Sequence, residues 1–492
     1  MKQYKKIITL VTLLMSVYGF SQENIFLSRD YWSTNPSIKD IDSKIKEGHN
    51  IAQANSNNFD AVVYAILQNA PNKTIECIQS KKGNDVNKLT HDGRTYIFWA
   101  AYKGNVEFMD YLLKKGAKTD LTDDKGNTIL NFAASSGQQN TKVYDLCIAN
   151  GADLKIDLNP NGANALLLAA PSDEDFKLIN YFQSKGLDIK SVDSKGNGVF
   201  NYVAKTGNIK LMNALLDKGV KGNDQAFLFA AYGTRGTTNG VEVYKYLESQ
   251  GLNPNTFNEE DVSPLHIVAS RSKDIELIYY LLEKGLDVNT KDAKGNNAVM
   301  NAASRNTLEV VKIFIENLKT INDTNKKGQS ALSLAVQGNT PDVVEFLIKK
   351  GYDTTIIDAK GNNLAYYLAN SYSIKNVLVF NEKMELFKRN KLDLAAVQKN
   401  GNTWFHFAVK KNSITLLKLA LEMDQDINVK NNEGNTALLL AAMTAENTEV
   451  LKFLMDQGAD KTITTDFEET AYDLAKENEL LKKNKVSIEF LK

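Results

Sequence analysis

Neither sign of charge prevails in this 492-residue chain: Lys+Arg and Asp+Glu both number 59. Without a basic excess there is no field to draw in nucleic acid, and there is no acidic tail, so phosphate backbones are not expected partners. Cysteine is nearly absent. Cys77 and Cys147 each sit in an apolar helical run and are expected to be free, buried thiols, out of disulfide reach of one another. Histidine is almost as rare. His49, His91, His266 and His406 stand without HExxH, CxxC or GxSxG spacing. No glycine-rich loop follows a strand and opens a helix, as a phosphate cradle requires. The chain is therefore expected to carry no catalytic residue, no metal and no cofactor, and not to be an enzyme. After Val17 no apolar run approaches the ~20 residues that a membrane helix needs, so no span is expected.

What is present begins with "MKQYKKIITLVTLLMSVYGFSQEN": three lysines, an apolar run from Ile7 to Val17, then the small residues Gly19 and Ser21. That order predicts a secretory signal peptide over 1–21, cut after Ser21. Its "GFSQ" ending is similar to signal peptides of Gram-negative bacteria, which implies a periplasmic or secreted mature chain. A lead-in over 22–35 precedes the repetitive part.

From Pro36 to the C-terminus the chain repeats. "DAKGNN" occurs at Asp292 to Asn297 and again at Asp358 to Asn363, and Gly328 lies midway, 33 residues from both Gly295 and Gly361. Glycine in this slot recurs at Gly93, Gly126, Gly162, Gly196, Gly295, Gly328, Gly361, Gly401 and Gly434, with Asp261 and Glu468 replacing it in two further units. Weak units are centred on Asn57 and Asn223 and span 361–400. A period of this length means a stack of supersecondary units. Two residues past the slot, ten of twelve units carry Ser, Thr or Asn, the residues that cap a helix N-terminus. Seven past it the side chains are mostly Ala or Val, small enough for helices to approach closely. A second helix follows, as in "NVEFMDYLLKKG" and "DIELIYYLLEKG", with apolar residues on one face and a closing glycine. The repeated turn is therefore architectural.

These columns resemble the ankyrin repeat, whose signature pairs a 33-residue period with a T-P-L-H-x-A stretch. Ser263, Pro264, Leu265 and His266 with Ala269 come nearest; "NTALLLAA" and "NTWFHFAV" are looser. The resemblance implies an all-α solenoid over 36–492, of about twelve to thirteen helix-turn-helix units joined by hairpin-like turns. It also implies a protein-binding role through fingertip turns and a concave face of first helices. His266 and His406, which share a column, are expected to hold turns by hydrogen bonds.

Two sets of candidate partner-binding residues follow. The residue before the slot glycine is Lys125, Lys195, Lys294, Lys327 or Lys360, a basic ladder able to steer an acidic protein surface. Nine residues past the slot, where the concave face should lie, stand Tyr102, Tyr232, Lys205, Lys410 and Met443. The expected partner is another protein, bound by a monomeric scaffold of the periplasm. The alternative is an inhibitor or immunity-type regulator that occludes one specific enzyme or toxin.

Overall fold

The computed structural model describes residues 24–492. The signal-peptide expectation over 1–21 lies outside the described residues. The chain divides into two compact units, 1–229 and 230–492.

The first unit opens on the lead-in, which is a packed element. Phe26 and Trp32 are fully buried, and the Trp32 indole N–H donates to the Phe26 carbonyl at 2.8 Å. Helices Arg29–Ser33 and Ile38–Lys46 follow, and then five helix pairs, from Ala61–Leu67 with Asn72–Gln79 to Val199–Ala204 with Ile209–Asp217. The second unit carries Val241–Ser249 and then seven pairs, from Pro264–Arg271 with Ile275–Glu283 to Ala471–Glu477 with Glu479–Lys483. Helix Ala226–Tyr232 straddles the division. The protein is an all-α repeat solenoid.

Each inner helix starts where the capping column places it. Thr128, Asn164, Asn297, Ser330 and Thr436 accept a hydrogen bond from the backbone N–H three residues on, satisfying one of the amides a helix start leaves open. The small-residue column is the seam of each stack: Ala100, Ala133, Ala169 and Val203 in the first unit, and Val268, Ala302, Ala335, Ala408 and Ala441 in the second, are all buried. Outer helices add a one-sided apolar face. In Leu308–Glu316 it is Val310, Val311, Ile313 and Phe314, each burial contributing roughly 2 kcal/mol before entropy is counted.

The slot glycine answers two demands at once. Gly295 and Gly328 have φ of 82° and 73°, and a Cβ on them would come within 2.9 and 2.7 Å of the backbone nitrogens of Lys326 and Ala359 in the next turn. Asp261 and Glu468 adopt the same left-handed conformation at φ 55° and 64°. In the first weak unit the left-handed residue is Asn58, at φ 59°, and not Asn57: Asn58 N–H closes the turn on the Asn55 carbonyl, and Asp60 caps the helix two residues later. Around Asn223 the fingertip is missing, since only eight residues separate Asp217 from Ala226.

A second inter-repeat device was not visible in the periodicity. Between the two helices of a repeat, an asparagine reaches back to the C-terminal carbonyls of the preceding inner helix. Asn306 Nδ2 donates to Ala269 and Ser272, Asn339 to Ala303 and Asn306, and Asn478 to Ala442 and Ala445, all at 2.8 to 3.0 Å. In the 361–400 unit Tyr372 stands at that position. Its role passes to Lys383, on the long outer helix Val377–Arg389, whose Nζ donates to the Val336 carbonyl at 2.8 Å. Lys383 is 2% exposed, and burial pulls its ammonium down to about 8 from the usual lysine range.

The cysteine expectation holds for one residue only. Cys147 is free and buried, with its thiol pushed up to about 12 by burial. Cys77 is free but half-buried, because its helix turns Thr74, Ile75 and Ile78 inward and leaves Cys77 beside that stripe.

Candidate functional site

The fingertips are built from the turn outward. Three residues before the slot an Asp or Asn side chain accepts two backbone N–H groups: Asp292 Oδ1 from Lys294 and Asn296, Asn325 Oδ1 from Lys327 and Gln329, Asp358 Oδ1 from Lys360 and Asn362. Successive fingertips then bond to each other, Lys326 N–H to the Lys294 carbonyl and Ala359 N–H to the Lys327 carbonyl, at 2.9 and 2.8 Å. With these backbone groups satisfied, the exposed side chains of Lys294, Lys327 and Lys360 follow one another along one edge of the second unit.

The ladder lysines differ in their partners. Lys125 Nζ meets Asp92 of the preceding fingertip at 2.7 Å, and Lys294 meets Glu260 at 3.5 Å. Lys195 is exposed, and its N–H donates to Asp193. Lys327 and Lys360 have no carboxylate within 4.0 Å among the described residues, because the preceding fingertip presents Lys294 to the one and Lys327 to the other.

On the inner-helix side, Tyr102, Tyr232 and Met443 are 40%, 43% and 37% exposed. Tyr102 stacks on Phe132, with ring centroids 5.9 Å apart. Phe132 also takes the Arg94 guanidinium at 4.1 Å. Arg94 is buried and paired with two carboxylates: Nε and Nη2 donate to Asp123 Oδ2 at 3.0 and 2.8 Å, and Nη1 lies 3.1 Å from Asp92 Oδ2. The hydrogen bond from Lys125, with Arg94 adding to it, holds the Asp92 carboxyl below its ordinary range. Tyr102 and Lys125 thus belong to one connected cluster in the first unit. Lys195 is elsewhere in that unit, Tyr232 ends the helix at the division, and Met443 lies two repeats beyond Lys360.

A groove in the second unit gathers residues that the column reading did not combine. Inner helices 264–271, 298–305, 331–338 and 364–371 pack on one another in series, but that close approach is largely lost between Leu364–Ser371 and Trp404–Lys410. Leu368 occupies the seam position that Ala335 and Ala408 fill in the flanking repeats, and its extra bulk works against close contact. The rings of Tyr366 and Phe407 bridge the gap edge-on, 5.4 Å between centroids. What opens is a groove of about 210 Å³ lined by Lys360, Lys410 and Lys411, with Asn370, Asn400 and Asn402 between them. The sequence signal was a run of aromatics in adjacent units, "AYYLAN" and "NTWFHFAV".

His266 and His406 hold turns. In each, Nδ1 accepts the N-cap backbone N–H, of Ser263 at 3.2 Å and Thr403 at 3.1 Å, while Nε2 donates 2.9 Å to a carbonyl, Thr290 or Asn435. Burial lowers both pKa values, and an Nδ1 already accepting a backbone N–H has no room for a second proton. His49 and His91 are engaged in aromatic contacts, with Phe26 and Phe59. Among the described residues no group of three or more His, Cys, Asp or Glu side chains is placed to hold a metal ion, and no helix is long and apolar enough to cross a membrane.

A family model for ankyrin repeats, in three copies, matches residues 49–157, 265–358 and 365–465, more than half of the chain. The chain belongs to the ankyrin-repeat family. Its relatives are diverse. The phosphocholine transferase AnkX of Legionella pneumophila is 25% identical over 218 residues, 44% of this chain and 21% of that protein. The human transient receptor potential cation channel subfamily A member 1 is 25% identical over 268 residues, 50% of this chain and 23% of that one. The palmitoyltransferase AKR1 of Lachancea kluyveri is 29% identical over 126 residues, 25% and 17% of the two chains. The chain thus spans about a fifth of the length of these relatives. Two of these relatives are named as transferases and one as a channel, and a shared repeat does not by itself fix an activity.

Proposed function

We propose that this ankyrin-repeat protein is a non-enzymatic, monomeric scaffold that binds another protein through its fingertips and inner-helix face. The observation that carries this reading is a contrast: the fingertip backbone is tied by Asx and inter-repeat hydrogen bonds, yet Lys327 and Lys360 stand exposed on that frame, with Tyr102 and Met443 partly exposed on the inner helices beside it. Stacked repeats supply such a ledge because each unit is fixed by its neighbours and leaves its turns free for contact. The N-terminal "MKQYKKIITLVTLLMSVYGFSQ" supports a periplasmic or secreted location of a bacterial type.

The test is chemical cross-linking of the tagged full chain in its native host, after fractionation of periplasm from cytoplasm. A saturable protein partner in the periplasmic fraction, weakened by joint Lys294→Glu, Lys327→Glu and Lys360→Glu substitution, is the expected result. Retention of the chain in the cytoplasm would discard the location, and absence of any saturable partner would discard the scaffold.

A further inference from the structure

The groove between the Lys360 and Asn400 fingertips deepens that proposal and rests on it. Three features set it apart from the rest of the ledge. It is the place where adjacent inner helices of the second unit part, so a chain can enter between repeats instead of lying across them. Its cations are uncommitted: Lys360, Lys410 and Lys411 are exposed and have no carboxylate within 4.0 Å among the described residues. One of its amides is open on the donor side as well, although Asn402 is only 4% exposed. Elsewhere the residue after the slot glycine gives its side chain to the turn aspartate, as Asn296 does to Asp292 and Asn362 to Asp358. At the Gly401 turn that aspartate is replaced by Gln398, which reaches back to Asn363 at 2.7 Å and leaves Asn402 with only its Oδ1 engaged, by Asn431.

We infer that this groove takes an extended acidic segment of a partner protein, with aspartate or glutamate carboxylates against Lys360, Lys410 and Lys411. Charge complementarity selects the sign, and the mixed amides select a peptide, because Asn370, Asn400 and Asn402 offer both donors and acceptors to a backbone that has both. The half-buried Tyr366 ring and the edge of Phe407 form an apolar floor for one side chain between the acids. Nucleic acid fits less well: Phe407 is too buried to stack a base, and beyond Asn400 the ladder turns acidic at Glu433, which would repel a continuing phosphate backbone.

The experiment uses the full mature chain and a fluorescein-labelled peptide of aspartate and glutamate with one central leucine, followed by anisotropy at low and moderate salt. Saturable binding is expected, lost roughly tenfold in the K360Q/K410Q/K411Q variant and weakened by salt. The K418Q/K482Q/K483Q variant carries the same charge change away from the groove and is expected to bind as the parent does. Thermal unfolding is expected to be unchanged in both variants. Equal loss in both variants would overturn the inference, as would equal binding of the glutamine-asparagine analogue of the peptide, binding of a single-stranded oligonucleotide as tight as that of the peptide, or no binding. If the peptide fails while cross-linking still captures a saturable partner, the groove assignment falls and the scaffold stands; if both fail, the scaffold falls too.

Discussion

The first unit's Arg94 cluster and the second unit's Lys360 groove use the same fingertip position in opposite ways. Lys125 faces Asp92, the residue one repeat earlier at the same position, and the pair joins a set in which Arg94 and Asp123 are already matched. Lys360 follows Lys327 at that position one repeat on, and Lys327 follows Lys294, on fingertips joined through their backbones. One arrangement consumes its charge internally; the other accumulates it at a place where the helices part. A lysine before the slot glycine therefore says little about binding alone. The residue one repeat upstream decides whether it is part of the frame or open to a partner.

The largest effect should come from breaking the closed cluster. Arg94→Met leaves Asp123, whose side chain is fully buried, without its cation, and is expected to cost about 3 to 5 kcal/mol in urea unfolding. A loss under about 1 kcal/mol would mean the cluster is not the closed network described above.

Next is Lys383, which fastens the first repeat of the groove to the one before it. Its ammonium is depressed by burial to about 8. Below that pH both folded and unfolded chains hold the proton; between about 8 and the ordinary lysine value near 10.5 only the unfolded chain does, so stability rises with pH across that window. The gain should be roughly 3 kcal/mol for the repeats around 361–400 and absent in Lys383→Met, read as hydrogen-exchange protection of helix Val377–Arg389 after correction for the intrinsic exchange rate. A Lys383→Met profile that still climbs would assign the effect to another group.

A smaller loss is expected at the edge of the closed cluster. Tyr102→Ala removes the stack on Phe132 and should cost about 1 kcal/mol in the same urea titration, with partner binding reduced more than in proportion. Smallest of all, Lys327→Glu places an acid between Lys294 and Lys360 and should raise stability by about 0.5 kcal/mol at low salt, an increment that disappears at high salt. Stabilisation with loss of partner capture would mark the basic ladder as kept for binding at the expense of the fold.

Much of the frame was legible beforehand, and for local reasons. The capping column predicted Thr128, Asn297 and Ser330 as helix starts because a cap bonds within three residues of itself. The turn glycines announced left-handed backbone; the Asn57 assignment slipped by one residue, where the unit has asparagines at both 57 and 58, and at Asn223 the fingertip is absent. The candidate site was legible in pieces. Lys360 and Lys410 each stood out in a column, but nothing in either column says that Leu368 replaces the small seam residue just where these two meet. Lys383 was hidden for a similar reason: it lies eleven residues past Tyr372, the position whose asparagine it replaces, so no register of the repeat brings the two together.

The period, the helix pairs and the turns follow from the order of residues alone, since capping, glycine conformation and one-sided apolar spacing act over a few residues. Which charges are matched and which remain open depends instead on contacts made by side chains a full repeat or more away: Lys125 with Asp92, Lys383 with the Val336 carbonyl, and the rings of Tyr366 and Phe407 across a widened seam, none of which a local rule can reach.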